Sequence, residues 1–301
     1  MSGICDGRVV IVTGAGRGIG RAHALAFARA GARVVVNDLG AGLDGSGASE
    51  SPAAEVAEEI RALGGEAIVN GADVADWQAT AGLVKAALDT WGRLDVVVNN
   101  AGFLRDRMFV GTSEDEWDAV VRVHLKGHFC LSRHACEHWR GRSKAGDAVD
   151  ARILNTSSGA GLQGSVGQAT YSAAKAGIAA LTLVQAAELG RYGVTSNAIA
   201  PAARTRMTEA VFADTMKKPE SGFDAAAPEN ISPLVVWLGS AESRDVTGRV
   251  FEVQGGELSV ADGWREGPRI DKGERWQPDE VGAAVSDLLQ KAVPPQKVYG
   301  S

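Results

Sequence analysis

Two side chains four positions apart, Tyr171 and Lys175, carry the sharpest chemistry in this 301-residue chain. On a helix that spacing puts both on one face, a turn apart. A free phenol titrates near pH ~10, too high for a group that must donate and accept protons at neutral pH. An ammonium one turn away favours the phenolate and draws the phenol toward acid–base work. Ser158 stands thirteen residues upstream of Tyr171, where a strand would end before the helix begins. Its hydroxyl could bond the same substrate oxygen. Alone, a Tyr and a Lys at this spacing also describe a surface aromatic beside a snorkelling lysine. Their company decides between the two.

The elements needed to position them follow in order. Residues 8–12 form a β-branched run that reads as a buried strand. Behind it stands Thr13-Gly14-Ala15-Gly16-Arg17-Gly18-Ile19-Gly20, then a helix-forming stretch to residue 30 closed by Gly31. A strand–turn–helix with few side chains in the turn lets a pyrophosphate sit on free N–H groups at the helix start. The second strand, 34–37, ends on Asp38, whose carboxylate can accept bonds from a ribose hydroxyl and would repel a 2′-phosphate. Residues 40–52, rich in Gly, Ser and Ala, read as a surface insertion.

Further on, the sequence predicts helix 55–63, a strand at 67–71 closed by Asp73-Val74, helix 77–91 and strand 94–98. Asn99-Asn100-Ala101-Gly102 turns the chain, and Ser113 with Glu116 reads as a capping box. The helix behind it would carry Trp117, Val120, Val121, His124, Leu125 and His128 on one face. Strand 153–155, helix 171–189, strand 194–199, helix 233–238 and strand 250–253 complete the alternation. Such a pattern predicts a single α/β Rossmann-type domain: a doubly wound parallel sheet of about seven strands with helices on both faces. Its active site would lie at the carboxyl ends of the strands. The domain is expected to span 1–256, with a lid at about 202–226. Residues 257–301 would be an extension, an arm with one helix at 279–291 that packs on its own or a neighbouring subunit.

Composition narrows the class. Hydrophobic residues make up 45% and charged residues 23%, which suits a globular fold. A net charge of −6 argues against nucleic acid or an anionic membrane as partner. Cys5, Cys130 and Cys136 show no framework spacing and point to a reducing compartment. With no signal-peptide pattern and no apolar run of spanning length, a cytoplasmic protein is expected.

Taken together, the glycine turn, the Asn-Asn-Ala-Gly turn, and Ser158, Tyr171 and Lys175 resemble the short-chain dehydrogenase/reductase family over roughly residues 7 to 256. The glycine spacing is similar to the family's T-G-x-x-x-G-x-G. Within the family, residues 36–40, 105–108, 124–127, 206–208 and 227–235 look like the (3R)-hydroxyacyl-CoA dehydrogenase unit of multifunctional enzyme type 2, or 17β-hydroxysteroid dehydrogenase type 4. The resemblance implies an NAD-dependent enzyme that interconverts a secondary alcohol and a ketone. Its substrate would be a 3-hydroxyacyl-CoA, a steroid-derived acyl-CoA or a 17β-hydroxysteroid, and its assembly a homodimer or homotetramer. It further implies that Tyr171 moves the hydroxyl proton, Ser158 polarises the oxygen, and Lys175 tunes Tyr171 and binds the nicotinamide ribose. Cofactor contacts would come from Gly14, Arg17, Gly18, Ile19, Gly20, Asp38, Asp73, Val74, Asn100, Ala101, Gly102, Pro201 and Thr205.

One departure, one basic cluster and one coincidence remain. His124 stands where the family usually has an asparagine that relays protons to the lysine. It is either a relay in its own right or a core histidine bonded to a backbone carbonyl. Arg204, Arg206, Lys217 and Lys218 make the lid basic, suited to the phosphates of an acyl-CoA or simply solvated. His134, Glu137 and His138 match an inverted zinc-peptidase pattern but lack a third ligand in sight, and no metal is expected. Other readings are a 3-oxoacyl thioester reductase of another lipid pathway, or a dinucleotide-binding regulator impaired in turnover.

Overall fold

The computed structural model describes residues 3–42, 45–49, 51–205 and 216–301. At its centre lies one sheet in the order β3-β2-β1-β4-β5-β6-β7-β8. The strands are β1 Val9–Thr13, β2 Arg33–Asn37, β3 Ala67–Asn70, β4 Val96–Asn99, β5 Ala151–Thr156, β6 Val194–Ala202, β7 Val250–Gln254 and β8 Glu257–Ala261. All neighbours pair in parallel except β7 and β8. The first seven agree with the sequence reading. The eighth is a departure: after Gly255-Gly256 the chain doubles back antiparallel instead of leaving the sheet. β8 is exposed along four of its five residues, so no buried apolar run announces it.

Helices cover both faces, as crossover connections between parallel strands require. α1 (Gly18–Arg29), α2 (Ser51–Ala62) and α8 (Ser232–Gly239) enclose one core with Phe27, Ile60, Ile231 and Leu238. α3 (Trp77–Trp91) and α5 (Gly127–Lys144) enclose the other, around Leu83, Leu131 and Trp139. Each such side chain contributes about 1.5–3 kcal/mol through burial. The remaining helices are α4 (Glu114–Val121), α6 (Gly159–Gln163), α7 (Ala169–Leu189) and the outer α9 (Pro278–Lys291).

Local signals explain several boundaries. Asp76 caps α3 by accepting the Ala79 N–H at 2.7 Å, and Gly92 ends that helix. Ser113 and Glu116 form the expected capping box on α4. Between α4 and α5, Arg122–Lys126 form a π-helical turn. His124 and His128 are buried with Val120, whereas Trp117, ahead of the turn, stays 42% exposed.

Under the carboxyl ends of β4 and β5 lies a buried polar network. Asn99 donates to Ser132 Oγ at 2.9 Å and to Asn155 Oδ1 at 3.0 Å. Asn155 donates to Thr182 Oγ1 and to Gln185 Oε1, both at 2.9 Å. Ser196 Oγ donates to the same Gln185 oxygen at 2.8 Å. The network ties α5, α7 and β6 to the central strands.

Candidate active site

A cavity of about 370 Å³ opens at the carboxyl ends of the strands. Every cofactor candidate named from the sequence lines it, as do Tyr171, Lys175 and His124. The glycine turn forms its floor. A Cβ on Gly20 would stand 2.0 Å from the Gly14 carbonyl oxygen, so the start of α1 packs directly on the turn. Arg17 supplies no side-chain cap and the first turn of α1 has no acidic residue, which leaves a positive helix end facing the cavity. Asn100 fixes the turn from the other side, donating from Nδ2 to the Thr13 carbonyl at 3.0 Å. Asp38 is held by two backbone donors, Gly16 N–H on Oδ2 and Gly40 N–H on Oδ1, each at 2.7 Å.

These residues fit a nicotinamide dinucleotide. An uncapped helix start suits a pyrophosphate, and the fixed carboxylate at the end of β2 suits a ribose diol. Part of the segment expected to be a surface insertion contributes as well. Ala41, Gly42 and Gly45 line the cavity, and Pro52 is already inside α2 and buried. On the adenine side, Asp73 pairs with Arg122 at 2.6 Å. Arg122 is the first residue of the π-helical turn, a contact with no linear signal.

At the opposite end of the cavity the catalytic candidates converge. Helix α7 carries Tyr171 and Lys175 on one face, and the Lys175 ammonium lies 5.5 Å from the Tyr171 ring centre. Lys175 Nζ donates to the Thr156 carbonyl at 2.6 Å. Ser157 Oγ donates to the Lys175 carbonyl at 2.8 Å, fixing the helix to the end of β5. Ser158 caps α6 by accepting the Ala160 N–H at 3.2 Å. Ser158 is hydrogen-bonded to Tyr171 but sits beside the cavity, not among its lining residues.

The electrostatics correct one sequence expectation. Burial pushes the Tyr171 phenol above its ordinary value; the Ser158 hydrogen bond opposes this, and the Asp106 charge adds to it. Lys175, buried as well, is pushed down to about 7 by desolvation. Its charge is therefore only partly present at neutral pH, and burial outweighs the expected effect of the ammonium on the phenol.

His124 is buried beneath Gly102. A Cβ on Gly102 would stand 2.2 Å from His124 Cε1, so only glycine admits the imidazole there. His124 Nε2 lies 2.7 Å from the Phe103 carbonyl oxygen and 3.1 Å from the Phe103 nitrogen, while buried Nδ1 has no partner among the described residues. The ring meets Tyr171 edge-on at 5.3 Å. Burial, and then the Lys175 charge, lower its pKa to about 3. It has the carbonyl bond of a core histidine while its ring lines the cavity.

Sequence reasoning missed Thr156, which anchors Lys175, and Asp106, which accepts from Gln168 Nε2 at 2.9 Å. Asp106 lies within the 105–108 segment that carried part of the family resemblance, so its position was marked but its charge was not weighed. In the segment expected to form a lid, Arg204 forms an ion pair with Asp224 and donates to the Met216 carbonyl at 3.0 Å. That engagement already occupies its guanidinium with protein groups. Arg206 lies outside the described residues, and Lys217 and Lys218 are exposed. The zinc-like pattern is engaged elsewhere: His134 bonds the Trp77 carbonyl at 2.9 Å and Glu137 pairs with Arg133 at 2.9 Å. Among the described residues no trio of His, Cys, Asp or Glu gathers at metal-binding spacing, and no helix is long and apolar enough to cross a membrane.

Comparison with known proteins decides what this geometry belongs to. The sequence profile of the short chain dehydrogenase family matches residues 8–216. The chain belongs to the short-chain dehydrogenase family. It is thus an oxidoreductase acting on CH–OH groups, in a family whose dehydrogenases use nicotinamide dinucleotides. This short-chain dehydrogenase is similar to the hydroxyacyl-CoA dehydrogenase ChsB1 of Mycobacterium tuberculosis, with 44% identity over 298 residues, 97% of this chain and 91% of that protein. It is 49% identical over 251 residues to the peroxisomal multifunctional enzyme type 2 of Mus musculus, covering 83% of this chain but only 32% of the mouse enzyme. A solved short chain dehydrogenase from Mycobacterium avium is 67% identical, with a TM-score of 0.89 over 99% of this chain and 100% of that one.

Proposed function

We propose that this enzyme interconverts a 3-hydroxyacyl-CoA and its 3-oxo counterpart with NAD. The observation that carries the reading is the convergence of Tyr171, Ser158 and Lys175 beside a cavity whose far end holds a fixed Asp38. The name of the Mycobacterium tuberculosis relative supports the thioester class. When bound, the nicotinamide supplies or accepts hydride at the carbinol carbon. The side chains of the chain do the rest. Ser158 Oγ positions and polarises the substrate oxygen, and Tyr171 Oη takes or gives its proton. Lys175 Nζ, with a pKa of about 7, exchanges a proton readily at neutral pH while the Thr156 carbonyl holds it in place.

Within this scheme His124 does not gain a full proton at working pH, because its pKa is about 3. Its part is that of a neutral hydrogen-bond group at Nδ1 and an edge that seats the Tyr171 ring. NAD is preferred because a 2′-phosphate would meet the Asp38 carboxylate, and such like-charge contacts cost several kcal/mol. The test is nicotinamide absorbance change with 3-hydroxyacyl-CoA thioesters, a 17β-hydroxysteroid and simple secondary alcohols. Turnover of the steroid with none of the thioesters would overturn the substrate assignment.

A further inference from the structure

After the outer arm, residues 298–301 return to the loop that joins Ser158 to Tyr171. Tyr299 pairs with Ser165 in a parallel bridge. Val166 N–H donates to the Tyr299 carbonyl at 2.9 Å, and Tyr299 N–H donates to the Gly164 carbonyl at 3.2 Å. Gln163 Nε2 donates to the Tyr299 phenol oxygen at 3.2 Å. The ring lies against Gly159, the residue after Ser158: a Cβ there would stand 2.8 Å from the phenol oxygen and 3.0 Å from Cε2. The same loop is held from its other end, where Arg107 bridges Gln168 and donates its N–H to the Gly167 carbonyl at 2.7 Å.

Three segments far apart in sequence thus make one collar around the link between Ser158 and Tyr171. Its apolar side chains are open to solvent: Met108 is 60% exposed, Val166 47%, Val298 40% and Tyr299 46%. We propose that Tyr299 is a specificity-determining residue that holds the apolar chain of the substrate against this collar. The inference rests on the acyl-thioester reading above. The substrate oxygen must reach Ser158 and Tyr171, so the carbons attached to the reacting carbon run out alongside residues 159–168. Contact between the collar and Gly159 begins one residue from Ser158. A tyrosine whose phenol is already fixed by Gln163 offers a large apolar area at little further entropic cost.

The experiment compares kcat/KM for a butyryl-length and a palmitoyl-length 3-hydroxyacyl-CoA in the parent, Tyr299→Ala and Tyr299→Phe. In Tyr299→Ala the long-to-short ratio should fall about tenfold, the scale of losing a well-packed apolar contact. Tyr299→Phe keeps the ring and should retain the ratio within about twofold. An equal loss on both substrates, an unchanged ratio or a ratio that rises would overturn the proposal. A parent inactive on both thioesters would instead overturn the reading beneath it. Hydrogen exchange then decides on the collar without any substrate. Tyr299→Pro removes both the ring and the N–H that bonds Gly164, so residues 159–168 should exchange faster than in the parent, and unchanged exchange would refute the collar.

Discussion

Lys175→Met should make the protein more stable while abolishing useful turnover. Lys175 is buried and its pKa falls from 10.5 to about 7. At pH 7 it is about half protonated in the native state but fully protonated when unfolded, so at ~1.36 kcal/mol per unit its burial costs about 4 kcal/mol. Methionine removes that cost but strands the Thr156 carbonyl, now paired with Nζ, at a loss of about 1–3 kcal/mol. The net expectation is a gain of about 1–3 kcal/mol at pH 7. The sign of the pH dependence follows from the lowered pKa. Between pH 7 and pH 10.5 the unfolded chain binds more protons than the folded one at this residue. Parental stability therefore rises with pH through that window relative to the variant, and the advantage of methionine shrinks and then reverses. Urea unfolding of both proteins across this range, without dinucleotide, measures the difference directly. A variant less stable than its parent at pH 7, or a gap independent of pH, would refute the account of Lys175.

Other expectations can be checked separately. Tyr171→Phe should cut turnover by about 10²–10⁴-fold, the usual weight of general acid–base catalysis, with little change in dinucleotide affinity by fluorescence titration. Asp38→Ser should narrow the preference for NAD over NADP by at least about tenfold in kcat/KM, because a fixed negative charge leaves the ribose site; equal use of both cofactors by the parent would refute the role of Asp38. Neutralising Lys217 and Lys218 together should raise KM for an acyl-CoA by about threefold or more at low salt, with the effect fading as salt is added. Gly102→Ala should lower Tm, since overpacking against the His124 ring costs about 1–3 kcal/mol; an unchanged melting curve would mean that the imidazole moves aside freely.

The parts of the site legible in the sequence are those whose spacing is local. Tyr171 and Lys175 share one helix, and the glycine turn connects adjacent elements, so periodicity and turn chemistry reveal both. Asp38 was legible because it ends a strand beside that turn. What escaped depends on contacts between distant segments or on burial. The pKa of Lys175 depends on how deeply α7 sits against β5, and no pattern of four residues reports depth. The π-helical turn at Arg122–Lys126, which puts Arg122 against Asp73, is a backbone feature that helical periodicity does not encode. Arg204 looked like a cation for a ligand because its partner Asp224 lies twenty residues away in sequence. Tyr299 could be noted as an aromatic in the arm, but its place against Gly159 arises only once the arm has folded back.

The polar network beneath β4 and β5 has a consequence for how such an enzyme can change. Asn99, Asn155 and Gln185 each rely on partners from other elements, and a small slide of α7 would strand several of them at once. Sequence drift there meets a cliff instead of a slope, which holds Tyr171 and Lys175 at a constant height above the sheet. The segments of the collar are joined to one another largely by main-chain bridges, which are indifferent to side-chain identity. If the collar selects the acyl chain as proposed, new substrates can be admitted by exchanging its side chains one at a time, with the proton-transfer geometry inherited unaltered.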